Sequence, residues 1–145
     1  MRALRAQMNP HFIFNCLASI NRYIVKSDTK SASAYLTKFS KLIRLILDNS
    51  ASELISIDAE IQTLKLYLEM ESLRFDGSFE YEIQSDTISR TDNTAIPAMI
   101  IQPYVENAIW HGLLHLPEAE AGKEKKGKIR LRFSQQGEDK LTVEI

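Results

Sequence analysis

Residues 7–15, QMNPHFIFN, place a histidine directly after a proline in a segment whose pattern is otherwise helical. Near pH 7 a neutral imidazole is a good nucleophile, and its second ring nitrogen can be oriented by a neighbouring group. Imidazole is also a common metal ligand. His11 is therefore a candidate nucleophile or a candidate ligand, and the alternative is an ordinary histidine on a helix surface.

The apolar residues of the same segment predict the direction in which His11 points. Four of them recur at helical spacings and form one stripe: Ile13, Leu17, Ile20 and Ile24. At about 100° per residue, His11 lies roughly 150° from the centre of this stripe, and Asn15 shares its face. We therefore expect an exposed His11, which disfavours a buried structural histidine but leaves a surface residue and a functional site open.

Pro10 makes the backbone beside His11 unusual under either of two interpretations. Within a helix, a proline removes a backbone hydrogen bond and costs ~3 kcal/mol. Alternatively, Asn9 is an N-cap and Pro10 is the first helical residue, which is a favourable arrangement. In both cases His11 adjoins irregular or terminal backbone, and this favours a functional role for it.

A second polar constellation lies in IPAMIIQPYVENAIWHGL, residues 96–113. Asn107 and His111 are one helical turn apart, away from the apolar face, and Glu106 adjoins them. An amide oxygen can hold Mg²⁺, and a donor one turn further on can reach a phosphate. A zinc site of His111 and His115 is disfavoured because no third ligand is evident nearby. From spacing alone, ordinary helix-surface polarity is the favoured interpretation.

Hydrophobic periodicity predicts three helices in the first half of the chain. The first covers residues 1–27, and the third runs from about residue 58 to residue 74, apolar on two sides. The second follows the polar break KSDTKS and has its own apolar stripe: Leu36, Phe39, Ile43 and Ile46. Two long helices with a short connection form an antiparallel hairpin. A lone hairpin buries only part of its apolar surface, so we expect self-association into a four-helix bundle.

The second half of the chain reads as a mixture of strands and helix. FDGS contains Asp-Gly, which predicts a turn. From Phe79 onwards apolar and polar residues alternate, which predicts a strand. A helical stretch is predicted over residues 97–115, with Pro103 in its first turn. Two further alternating segments predict a β-hairpin: IRLRF and LTVEI. The predicted fold class is α+β.

Composition and charge exclude several classes of protein. With 44% apolar and 26% charged residues the chain is globular, and its single cysteine excludes an internal disulfide. No apolar run approaches the ~20 residues that span a membrane. Residues 1–48 carry a net charge of +6, so the remainder carries −7; such an asymmetry indicates either a partner preference or no function at all. Nucleic acid is disfavoured, because the aromatic residues of the basic half lie on or beside apolar stripes.

Two motifs, taken together, resemble the LytS-type sensor histidine kinases of bacterial two-component systems. QMNPHFIFNCL, residues 7–17, is similar to the phosphoacceptor motif of that family. IPAMIIQPYVENAIWHG, residues 96–112, resembles the N box that opens the ATP-binding domain. LYLEMESLRF, residues 66–75, resembles the segment that connects the two. The resemblance covers essentially all 145 residues, in the family's order and spacing.

The resemblance implies a role for each candidate residue. His11 would be phosphorylated, with Asn15 near the transferring phosphoryl group. Asn107 would bind the Mg²⁺ that accompanies ATP, and Glu106 and His111 would lie beside the phosphates. The implied partners are a second copy of the chain and the receiver domain of a response regulator. The chain would be the cytoplasmic portion of a bacterial inner-membrane sensor, without direct membrane contact of its own.

The resemblance also implies a division of the chain into three parts. These are a dimerisation and histidine phosphotransfer hairpin (1–57), a connector helix (58–75) and the first part of a GHKL-type α/β sandwich (76–145). The complete protein would phosphorylate itself from Mg-ATP and pass the phosphoryl group to an aspartate of the regulator.

Two departures from the family pattern qualify this expectation. Phe12 stands where many histidine kinases have an acidic base, so the base is unassigned. The glycine-rich nucleotide boxes would follow LTVEI and are absent from the 145 residues. We therefore expect a truncated fragment with an incomplete sandwich that alone binds neither ATP nor Mg²⁺ well. The alternative function is a non-catalytic dimeric scaffold or phosphotransfer module.

Overall fold

The computed structural model describes residues 10–75, 79–85, 95–113, 127–136 and 140–145. Its helices are α1 (Pro10–Val25), α2 (Thr29–Ser50), α3 (Ile57–Arg74) and α4 (Gln102–Asn107), and α4 continues as a π-helix (Ala108–Leu113). Its strands are β1 (Leu54–Ser56), β2 (Phe79–Gln84), β3 (Ala95–Pro97), β4 (Gly127–Gln136) and β5 (Lys140–Glu144). The predicted α+β class is confirmed. None of the helices in these ranges is long and apolar enough to cross a membrane.

Helices α1 and α2 pack against each other as a hairpin across a tight turn. Ser27 has a φ of 58°, and the Asp28 side chain caps α2 by accepting a hydrogen bond of 3.1 Å from the backbone amide of Ser31. This capping satisfies an amide that the first helical turn leaves without a partner. Between the helices, the Tyr35 hydroxyl donates to the Cys16 sulfur at 3.6 Å.

The predicted apolar stripes of the hairpin are confirmed only in part, at the buried Ile20 and Ile46. In α1 the buried residues are Phe12, Cys16, Ser19 and Ile20, whereas Leu17 and Ile24 are 48% and 59% exposed. In α2 the chain buries Tyr35 and Leu42 and leaves Leu36 exposed. Both helices carry apolar residues on more than one face, and the face that packs is selected by distant parts of the chain. The remaining apolar face of each helix is left at the surface.

Helix α3 is the central element that both halves of the chain contact. Ser56 caps it by accepting a hydrogen bond of 3.1 Å from the amide of Ala59. Its contacts with α2 include a Lys38–Glu69 ion pair and a 2.9 Å hydrogen bond from the Asn49 amide to the hydroxyl of Thr63. Its many buried side chains fit the predicted two-sided helix: Ile57, Glu60, Thr63, Leu64, Tyr67, Leu68, Met70 and Glu71.

Two small sheets complete the described fold. In the first, β1 pairs antiparallel with β3, with Ile55 opposite Ile96. In the second, of order β2-β4-β5, β2 is parallel to β4 and β4 is antiparallel to β5. The predicted strand from Phe79 and the predicted final hairpin are therefore confirmed. The predicted turn at FDGS (beyond Phe75) and the turn that joins the two strands of the hairpin (residues 137–139) lie outside the described residues.

The predicted helix over residues 97–115 needs correction. The segment begins as strand β3, turns at Ala98–Ile101, and becomes helical only at Gln102, with Pro103 in the first turn as predicted. Met99 has a φ of 58°, a left-handed conformation that interrupts regular structure. Strand β3 is only three residues long, so the sequence shows no alternation of apolar and polar residues that would predict it.

Candidate functional site

His11 is exposed near the start of the described part of α1. Phe12, its neighbour, is 3% exposed, and its ring centroid lies 4.9 Å from that of Tyr67 on α3. Because successive helical residues point about 100° apart, burying Phe12 turns His11 towards the surface. The predicted exposure of His11 is confirmed. Asn9 and the choice between a helix kink and an N-cap at Pro10 lie outside the described residues.

Asn15 lies four residues after His11 on the same helix and is half-buried. Residues four apart on an α-helix are neighbours on its surface. The structure thus brings these two side chains to one side of α1, close to the end that packs on α3.

The N-box segment, residues 96–112, presents the other three candidate residues. Val105 and Ile109 are fully buried and anchor it to the core. Asn107 and His111 are exposed, and Glu106 is half-buried. Because the π-helix begins at residue 108, the predicted α-helical spacing of Asn107 and His111 is altered. Single turns of π-helix recur at functional sites.

The Glu106 carboxyl lies in a partly desolvated environment. Burial raises its pKa, and the negative charge of Glu71 adds to the rise. The side-chain amide of Gln102 donates a 3.5 Å hydrogen bond to it, which opposes the shift. The Gln102 carbonyl oxygen is buried and has no hydrogen-bond partner among the described residues. Glu106 thus sits at the boundary between the core and the exposed Asn107.

A polar cluster inside the fold was missed by the sequence analysis. Glu71 is fully buried, and Arg74 donates two hydrogen bonds to its carboxylate, at 3.0 and 2.7 Å. The Arg74 guanidinium also lies over two aromatic rings, 4.2 Å from the centroid of Phe75 and 5.3 Å from that of Trp110. Acid and base three residues apart in LYLEMESLRF signal a local pair. No sequence pattern signals the contact with Trp110.

Glu60, in the first turn of α3, is a second buried carboxyl that the sequence analysis did not single out. It is fully buried and accepts a 3.3 Å hydrogen bond from the backbone amide of Met99. Burial raises its pKa, while the amides of Met99 and Ile101 act in the opposite direction. Glu60 therefore holds the left-handed turn from which the N-box helix begins.

Two neighbouring side chains of the N-box segment, the exposed Asn107 and the half-buried Glu106, carry oxygen atoms that could hold a magnesium ion. Mg²⁺ in nucleotide sites takes one or two protein oxygen ligands and completes its shell with phosphates and water. Asn107 supplies a neutral oxygen, and Glu106 supplies a carboxylate beside it. Within the described ranges, no three His, Cys, Asp or Glu side chains are grouped closely enough to hold a metal ion. His115, the second residue of the disfavoured zinc pair, lies outside those ranges.

Comparison with known proteins identifies the family. The Histidine kinase family profile matches residues 1–79. The sensor protein LytS of Bacillus subtilis is 34% identical over 111 residues, 77% of this chain and 18% of that protein. The sensor histidine kinase BtsS of Escherichia coli is 34% identical over all 145 residues and 24% of its own length. The chain belongs to the histidine kinase family, and the resemblance to its LytS type is confirmed.

A third relative shows that the chain matches only a part of these proteins. The sensor histidine kinase YpdA of Escherichia coli is 34% identical over 115 residues, 78% of this chain and 19% of that protein. The chain thus spans about a fifth to a quarter of the length of these relatives. No solved structure gives a significant match.

Proposed function

We propose that this chain is the kinase-core region of a two-component sensor histidine kinase and that His11 accepts the γ-phosphoryl group of Mg-ATP. One observation carries the proposal: the exposed His11 adjoins Phe12, which is buried against the same helix, α3, that contacts the N-box segment. The family relationship supplies the activity that this arrangement fits. The roles of the individual residues are part of the proposal.

Transfer of the γ-phosphoryl group to His11 is a single in-line displacement. A ring nitrogen forms a bond to the γ-phosphorus as the bond to the ADP oxygen breaks, and the second ring nitrogen then loses its proton. Such a transfer depends mainly on positioning and on neutralising charge. Asn15 stands one turn away and can donate a hydrogen bond to a phosphoryl oxygen. The residue that directly follows His11 is Phe12, whose side chain cannot accept this proton.

The N-box segment has the complementary role of holding the nucleotide. Asn107 would bind the metal through its amide oxygen, while Glu106 and His111 would border the phosphates. Bound Mg²⁺ supplies positive charge to the phosphate oxygens. Because Asn107 and His111 are exposed on a segment anchored by buried Val105 and Ile109, they combine access with a rigid support.

The apolar surface of the hairpin supports self-association. Large apolar side chains of α1 and α2 are 45% to 76% exposed: Phe14, Leu17, Ile24, Val25, Leu36 and Leu47. A second hairpin would cover such faces in a four-helix bundle. We include a homodimer in the proposal, with residues 1–57 as the dimerisation and phosphotransfer hairpin, 58–75 as the connector and 76–145 as the beginning of the ATP-binding domain.

The proposed recipient of the phosphoryl group is an aspartate on the receiver domain of a response regulator. The net charge of +6 over residues 1–48 would attract the acidic site of such a domain. Attraction between exposed charges weakens as salt is added. Transfer rates that do not change with salt concentration would count against this part of the proposal.

The deciding experiment uses labelled ATP and the full-length protein. Wild type should incorporate phosphate that is labile in acid and stable in base, as a phosphohistidine is, and His11→Gln should incorporate none. His115→Gln is the matched control, because it removes a histidine to which the proposal gives no role. Equal incorporation by wild type and His11→Gln would refute the assignment. A wild-type protein without incorporation would favour a non-catalytic scaffold or a phosphotransfer module.

A further inference from the structure

One face of α3 links the surroundings of His11 to the N-box segment. Tyr67, Glu71 and Arg74 follow one another at spacings of four and three, so they lie on one side of the helix. At one end, the Tyr67 ring packs on Phe12 with their centroids 4.9 Å apart. At the other end, the Arg74 guanidinium lies 5.3 Å from the ring centroid of Trp110. The same rigid element thus contacts both candidate parts of the site.

The ion pair between Glu71 and Arg74 on this face is largely buried. The side chains of Arg74 and Glu71 are 13% and 0% exposed, and both guanidinium–carboxylate hydrogen bonds are short, at 2.7 and 3.0 Å. Burying two charges usually adds little net stability compared with apolar residues of similar volume. Fold stability alone is therefore a weak explanation for a pair of charges at this position.

The two hydrogen bonds fix the plane of the Arg74 guanidinium. Held in this way, it stacks on Phe75 at 4.2 Å and reaches Trp110 in the π-helix. Trp110 lies three residues after Asn107 and directly before His111. A planar, doubly hydrogen-bonded cation over an aromatic ring is a directional contact, and lysine does not reproduce it. The place of the π-helix relative to α3 is therefore set in part by Arg74.

We propose that Arg74, held by Glu71, is a positioning residue that sets the Asn107–His111 segment in place relative to the end of α1 that carries His11. This inference rests on the proposed kinase function. Displacing reacting groups by about 1 Å can slow a positioned reaction on the order of a hundredfold. Weakening the contact between Arg74 and Trp110 slows phosphoryl transfer to His11. Nucleotide binding changes little, because the nucleotide still contacts the same side chains of the N-box segment.

The test measures autophosphorylation of the full-length protein at varied ATP concentrations. Arg74→Lys keeps a positive charge for Glu71 but loses the planar fork, and Trp110→Leu removes the ring while the ion pair stays intact. Both variants should lower the maximal rate about tenfold or more, with the KM for ATP within about threefold of wild type. Arg130→Lys is the matched control, because Arg130 pairs with Glu82 at 3.3 Å on the exposed side of the sheet.

A second readout separates positioning from loss of folded protein. Each variant is phosphorylated during a long incubation, freed of ATP and mixed with the receiver domain. Transfer from His11 to the receiver does not involve the N-box segment, so its rate should match that of wild type. A variant that is merely unfolded in part would lose both half-reactions together.

Three results would overturn the inference while the kinase function stands. The first is a wild-type maximal rate in both Arg74→Lys and Trp110→Leu. The second is a raised KM at an unchanged maximal rate, which would place the cluster in nucleotide binding. The third is an equal loss of autophosphorylation and of transfer to the receiver. If the wild-type protein incorporates no phosphate on His11, the proposed function fails, and this inference fails with it.

Discussion

Replacing Phe12 by alanine tests the arrangement that turns His11 outwards. Phe12 is 3% exposed and its ring packs at 4.9 Å on that of Tyr67, so truncation removes a buried aromatic side chain and leaves a cavity. Buried Phe→Ala changes cost about 3–5 kcal/mol, including roughly 0.5–1.5 kcal/mol for an aromatic pair. Since a domain is stable by only about 5–15 kcal/mol, Phe12→Ala should lose roughly a fifth of that or more.

The assay is urea unfolding followed by circular dichroism at two protein concentrations, with Phe14→Ala as the matched control. Phe14 lies on the same helix two residues away but is 66% exposed. Phe12→Ala should lower the unfolding free energy by the same amount at both concentrations. Phe14→Ala should cost little in the monomer, and any loss should grow with protein concentration because it weakens the proposed dimer. A loss for Phe12→Ala no larger than that for Phe14→Ala would refute the packing argument.

Two further predictions follow from groups with shifted pKa values. Burial raises the pKa of Glu60 above its ordinary 4.5, so its contribution to stability is complete below that value and is lost as pH rises through the raised pKa. The unfolding free energy of wild type relative to Glu60→Gln should therefore fall with rising pH in that window, by up to about 1.4 kcal/mol per pH unit. Glu82→Gln is a control for which the pH dependence of this difference should have the opposite sign. Hydrogen bonds from Gln84 and Lys128 lower the pKa of Glu82 to about 2. If the difference in unfolding free energy between wild type and Glu60→Gln did not change with pH, the burial of Glu60 would be contradicted. Burial also raises the pKa of the Cys16 thiol to about 11. At pH 8, alkylation of Cys16 measured by mass spectrometry should be at least about a hundredfold slower in the native protein than in urea, and equal rates would disprove its burial.

The sequence predicted the exposure of His11 correctly although only part of the stripe used to derive it is buried. The actual buried line runs through Phe12, Cys16 and Ile20, while Leu17 faces outwards. Both lines are apolar and both obey helical spacing, so periodicity alone cannot choose between them. The choice depends on Tyr67 and Tyr35, which contact Phe12 and Cys16 from other helices.

Local signals predicted the elements around the N box better than they predicted the N-box segment itself. The third helix was predicted from about residue 58 and begins at Ile57, and the strand from Phe79 was also placed correctly. The helix over residues 97–115 was placed too early, because its start depends on a turn at Met99. The carboxyl that holds this turn belongs to Glu60, 39 residues away in the chain. A sequence without an alignment carries no signal for such a pair.

The two buried carboxyls of α3 act on opposite ends of the same segment. Glu60, in the first turn of α3, binds the backbone amide of Met99, so this contact is independent of the side chain at position 99. Glu71 acts near the other end through Arg74, whose contact with Trp110 is specific to side chains. Asn107 lies between the two attachments. A segment tied to one helix at two points cannot shift or rotate without losing the Glu60–Met99 hydrogen bond or the contact of Arg74 with Trp110. This restraint suits the proposed role of Asn107 in binding a nucleotide.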